Sequence, residues 1–170
     1  MLQGVPVSLG VDWHATGSDT LFDELRVASQ LNRDQFGGVI ATADWVTMIT
    51  LHPAQALALD TFIGTLAVGK KADLTVLNAQ HDDPHESLLR THLPDVAMVW
   101  VGGDLLYADG GILEQLKPGQ CEAVQVQGSQ KPLCVVDTKD PVPKSGQTLD
   151  DIRTVLQTHY SDLAPLVPSP

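Results

Sequence analysis

The residues with chemical reach gather near the start of the chain. Gly4-Val-Pro-Val-Ser-Leu-Gly-Val-Asp12 puts Val5, Val7 and Leu9 at alternate positions, passes through Gly10 and ends on a carboxylate; His14, Thr16 and Ser18 follow closely. Alternation of this kind predicts a strand over 4–10. An acid at the carboxyl end of a strand sits where α/β barrels collect catalytic and metal-binding groups. Asp12 can equally cap the loop or the next helix. His14, Thr16 and Ser18 either shape a substrate or fill a polar loop.

Three other stretches resemble sites less well. Gly64-Thr-Leu-Ala-Val-Gly69-Lys70-Lys71 nearly spells a phosphate-binding loop, but Lys71 stands where a hydroxyl would hold magnesium. The strand-like residues between its glycines favour a hairpin turn. His81-Asp-Asp-Pro-His85, with His92, has donors enough for a stray metal, yet Pro84 forbids a one-faced helix and favours a solvated loop. Gly102-Gly103 lacks the other glycines of a dinucleotide fingerprint and reads as a turn.

The elements that must position these groups follow in order. Thr20 and Asp23 look like a capping box, and Leu21, Leu25, Ala28 and Leu31 predict a helix over 20–33, ended by Gly37-Gly38. Thr42 is a plausible N-cap for a second helix reaching Thr50, with Trp45, Met48 and Ile49 inward. His52-Pro53 starts a short third helix to Leu59. This strand-helix-helix rhythm is that of the closing unit of an α/β barrel. Beyond Asp60 the chain turns β-rich. Strands are predicted at 65–68, 73–77, 96–101, 105–107, 123–126 and 133–136, with a short helix near 86–90. Pro141 and Pro143 mark a linker, and Thr148-x-x-Asp151 opens a final helix with Leu149, Ile152, Val155 and Leu156 on one face.

Composition sets the outer bounds. The 170 residues can bury a real core, and a net charge of −11 argues against nucleic acid and anionic membranes as partners. The longest apolar run, Val96 to Val101, is too short to cross a bilayer, and no signal peptide is visible. Cys121 and Cys134 form neither a CxxC pair nor a disulfide framework, so a reduced, cytoplasmic setting is expected.

Three stretches, in this order and spacing, resemble the C-terminal portion of the amidohydrolase superfamily of metal-dependent hydrolases and deaminases, within it the cytosine deaminase and chlorohydrolase-like branch. They are Gly4–Asp12, His52-Pro-Ala-Gln-Ala-Leu-Ala-Leu59 and Ile63-Gly-Thr-Leu-Ala-Val-Gly-Lys-Lys-Ala-Asp-Leu-Thr-Val-Leu77, and the likeness covers roughly residues 4–107. It implies an α/β fold. Residues 1–60 would be the closing strand and helices of a TIM-type barrel, and 61–136 part of the small β-sandwich domain. A linker and C-terminal helical tail would occupy 137–170. It implies that Asp12 ends the eighth barrel strand and is both a catalytic and a metal-facing residue. The cofactor would be a divalent metal, zinc or iron.

The same family takes its other ligands from a His-x-His and from middle strands, and this sequence contains no His-x-His. A catalytic zinc usually needs about three protein ligands. The chain therefore reads as part of a hydrolase acting on non-peptide carbon–nitrogen bonds of small cyclic or heteroaromatic substrates, inactive by itself. The alternative is a stand-alone structural or oligomerisation module that kept the sandwich without the chemistry. A half-built sandwich leaves strand edges open, so self-association is expected; a clean monomer at high concentration counts against it.

Overall fold

The computed structural model describes residues 4–12, 17–116, 121–135 and 147–160. Its helical half begins with α1 (Leu21–Asp34), capped by the Thr20 hydroxyl on the Asp23 amide. The same hydroxyl donates to the Asp23 carboxylate at 2.6 Å. This bond, with the charge of Arg26, holds Asp23 below the usual carboxylate range. The helix ends at Asp34 with Gln35 as its C-cap, and Gly37 and Gly38, just beyond, both lie in the left-handed region that glycine tolerates. Its inner stripe is not the predicted one throughout. Leu25, Ser29 and Asn32 are buried, while Leu31 is exposed. Asn32 turns inward because its amide brackets Ile40, donating to the carbonyl and accepting from the N–H, each at 3.0 Å.

Helices α2 (Asp44–Ile49) and α3 (Leu51–Ala56) meet at Thr50, whose non-helical backbone makes the corner. Ala43, not Thr42, occupies the cap position of α2, and the Asp44 carboxylate reaches back to the Ala41 amide. Pro53 falls third in α3, two positions past the first helical position that proline favours. Trp45 and Met48 bury with Leu25 in one core, which Leu9, Phe22, Ile40, Ile49, Leu88 and Leu89 complete. Each such side chain contributes roughly 1.5–3 kcal/mol when fully buried. Leu88 and Leu89 belong to α4 (Pro84–Arg90), and Arg26 of α1 reaches the Thr91 carbonyl at the end of that helix.

The β half is one antiparallel sheet in the order β1-β2-β3-β5-β4, comprising Leu74–Leu77, Val96–Val101, Asp104–Ala108, Ser129–Leu133 and Glu122–Val126 respectively. The β2–β3 hairpin turns where predicted, on Gly102 and Gly103, both with positive φ. The last hairpin corrects the sequence. Its turn is Gln127-Gly128, so β5 lies over 129–133 rather than 133–136. Leu105, Ala108, Leu113 and Cys134 form the second core, with Leu113 supplied by α5 (Gly110–Leu116).

Two further expectations fail. Thr65 to Val68 form no strand, because Lys70 closes that stretch into a loop by donating to the carbonyls of Asp60 and Ile63 and to the Thr65 hydroxyl. Cys121 and Cys134 are not reduced thiols but a disulfide across the open end of the β4–β5 hairpin, one position beyond the Glu122–Leu133 pair. Their separation in sequence hid what the turn brings together. The final helix α6 (Leu149–His159) forms with its capping box intact, and the linker prolines lie outside the described residues. Glu122, next to the disulfide, accepts the Leu149 amide at 2.7 Å and the Asp150 amide at 3.3 Å.

Candidate active site

Residues 4–12 are the clearest departure from the predicted secondary structure. They pair with no strand among the described residues. A strand exists only by pairing. The corner between α2 and α3 holds the segment instead. The Leu9 N–H donates to the Met48 carbonyl at 3.0 Å, and the His52 Nδ1 lies 2.9 Å from the Val7 carbonyl. Leu9 also packs into the Leu25–Trp45–Met48 core. Gly10 and Val11 then run outward, and Asp12 is exposed to solvent.

That placement leaves Asp12 accessible to a ligand rather than sealed in a dry interior or committed to a core. Ser18 is half-buried at the approach to α1, while His14 and Thr16 lie outside the described residues. Among the described residues, no group of three or more His, Cys, Asp or Glu side chains is placed to hold a metal ion. One exposed carboxylate is not a coordination sphere. The donors described in this chain therefore do not make a metal site of their own.

The competing motifs resolve into structure. Lys70, the would-be phosphate lysine, spends its ammonium on the carbonyls of its own loop, and Gly64 lies against α3. Of the histidine-rich loop, His81 accepts the Asp83 amide on Nδ1. Asp83 caps α4 by accepting the His85 and Glu86 amides at 2.8 and 2.9 Å. Those two bonds, the Glu86 one first, hold Asp83 below the usual carboxylate range. An open groove of about 390 Å³ is lined by Leu59, Phe62, Ile63, Lys71 and Asp73, and Asp12 is not among its walls. His52 was legible in the sequence as a helix start and as the head of a family-like stretch, not as a partner for residues 4–12.

A sequence profile of the amidohydrolase family matches residues 1–106. The chain is 34% identical over 136 residues to the 5-methylthioadenosine/S-adenosylhomocysteine deaminase of Halobacterium salinarum, covering 75% of this chain and 31% of that protein. It is 33% identical over 128 residues to the 5'-deoxyadenosine deaminase of Methanothermobacter thermautotrophicus, covering 72% and 29%. The 5-methylthioadenosine/S-adenosylhomocysteine deaminase of Saccharophagus degradans is 33% identical over 111 residues, covering 59% and 25%. The chain thus spans about a third or less of the length of these relatives.

Proposed function

The chain belongs to the amidohydrolase family, and from that premise we propose that it is the C-terminal portion of a metal-dependent deaminase acting on a small heteroaromatic substrate. One observation carries this reading: the family match takes in Asp12, the α2–α3 corner and the Lys70 loop together, within residues 1–106. The relatives are named for 5-methylthioadenosine, S-adenosylhomocysteine and 5'-deoxyadenosine, which supports an adenosine-type nucleoside as the proposed substrate. In such a reaction the oxygen of water replaces the exocyclic amine, and ammonia leaves.

Asp12 is the catalytic and metal-facing carboxylate in this proposal, and His14, Thr16 and Ser18 shape the substrate loop. The divalent metal, zinc or iron, takes its remaining ligands from outside these 170 residues, so the chain alone is inactive. Residues 1–60 would close a TIM-type barrel, 61–136 would complete a composite sandwich, and 137–170 would be linker and final helix.

The test is ammonia release from 5-methylthioadenosine. The isolated chain should release none, with or without added zinc. Joined in frame to the coding sequence upstream, it should be active, and Asp12→Asn should lower kcat/KM by about 10²–10⁴-fold. An unchanged rate in that variant removes Asp12 from the chemistry. An upstream sequence lacking His-x-His favours the structural module instead.

A further inference from the structure

The two backbone groups that anchor residues 4–12 form a pattern. The Val7 carbonyl and the Leu9 amide are the pair that a parallel strand would bond across residue 8. Here the α2–α3 corner supplies both partners. Met48 offers a carbonyl from the last turn of α2, where no intrahelical donor remains. His52, second residue of α3, offers a ring nitrogen at 2.9 Å from the Val7 oxygen. A carbonyl oxygen only accepts, so the ring must carry a proton on Nδ1.

Nothing in the proposed chemistry requires a histidine at this place. It lies in a helix, and its bond goes to backbone. What it controls is the segment leading to Asp12. Leu9 is pinned by its amide and by its side chain in the core, whereas Val7 is exposed and gains no comparable packing. Asp12 lies three residues beyond Leu9, a reach of at most about 10 Å. With the upstream pin removed, the chain can pivot about Leu9. A reacting group tolerates a displacement of only about 1 Å before rate is lost.

We propose that His52 is a positioning residue for Asp12, its Nδ1–H tautomer clamping Val7 to α3 so that the carboxylate projects from a fixed origin. This inference rests on the role proposed above for Asp12. The clamp itself is a property of this chain and is measurable without catalysis. Asparagine is the informative substitute, because its amide nitrogen is attached to Cγ as Nδ1 is in the imidazole, yet it has no alternative tautomer.

The experiment uses the ¹⁵N-labelled 170-residue chain. Long-range ¹⁵N–¹H spectra should find neutral His52 protonated on Nδ1, with Nε2 bare. In H52L, exchange of the Leu9 amide should accelerate about three- to tenfold, the equivalent of one net hydrogen bond. The order parameter of the Asp12 amide should fall with it. Both should return towards wild type in H52N, with Leu9 exchange within about twofold. An Nε2–H tautomer overturns the proposal, as does an H52L chain whose Leu9 exchange and Asp12 order are unchanged. If H52L loses protection throughout α1, the wild-type tautomer and the H52N chain decide. Activity of an Asp12 variant enters none of these readings, so the clamp and the proposed function can fail separately.

Discussion

The ammonium of Lys131 lies against the carboxylate of Asp109 although the lysine side chain is only 8% exposed. It also donates to the carbonyls of Pro94 at 2.9 Å and Val96 at 3.2 Å, and stands 5.8 Å from the centre of the Tyr107 ring. One cation from β5, which pairs with β3 directly only at Tyr107–Leu133, thus ties the entry of β2 to the exit of β3. Burial pushes the Lys131 pKa down, but the Asp109 bond and the neighbouring Tyr107 and Asp109 groups outweigh it and hold it above the ordinary lysine value. Burial also raises the Tyr107 hydroxyl.

The sign of the pH dependence follows. Both groups bind their proton more tightly folded than unfolded, so their stabilisation is complete below the unfolded values and is lost as pH rises through the folded ones. Urea unfolding should show this contribution level below about pH 10 and falling above it. Asp109→Asn should cost about 2 kcal/mol at neutral pH, less than for a fully buried pair because Asp109 is partly exposed. An unaltered unfolding midpoint in D109N would show that the two carbonyls suffice.

The Cys121–Cys134 disulfide closes a loop with a sequence separation of 13. Chain-entropy arguments put its contribution at about 2–3 kcal/mol. Thermal unfolding with excess dithiol should therefore show a lower Tm than without. Amide exchange at Leu149 should rise in parallel, because Glu122, which caps α6, adjoins Cys121. Equal Tm values in both conditions would mean that the hairpin holds its register unaided.

Gly64 is a glycine whose surroundings would clash with a side chain. A Cβ there would meet the Ala54 Cβ at 2.7 Å and the Thr50 carbonyl at 3.2 Å, at a φ of +86°. Gly69 has a similar φ of +91° but open space around it. Gly64→Ala should cost about 2–4 kcal/mol, the sum of strain and overpacking, against about 1 kcal/mol for Gly69→Ala. Paired denaturant curves measure the difference, and equal losses would remove the clash from the account.

Local signals were readable in the chain itself. Thr20 and Asp23 set the start of α1, Gly102-Gly103 set the β2–β3 turn, and Thr148 with Asp151 opened α6. Each signal acts within about four residues, the span of a cap or turn, so the linear sequence contains the whole interaction. Asp12 was legible as a candidate for the same reason: an acid after an apolar stretch and a glycine is a local pattern.

The alternation at 4–10 carries no information about a neighbour, and without one the segment became an anchored loop held by Met48 and His52. The apolar run at 65–68 lost to the Lys70 ammonium, whose acceptors lie five to ten residues away. The disulfide, the Lys131–Asp109 pair and the Glu122 cap on α6 join residues 13 to 28 positions apart. Sequence alone settled the caps of α1 and α6, the β2–β3 turn and the family likeness, because these depend on neighbours along the chain. Pairing, burial and the setting of the Asp12 segment waited for the fold, because hydrogen bonding and the exclusion of water act between surfaces that folding alone brings together.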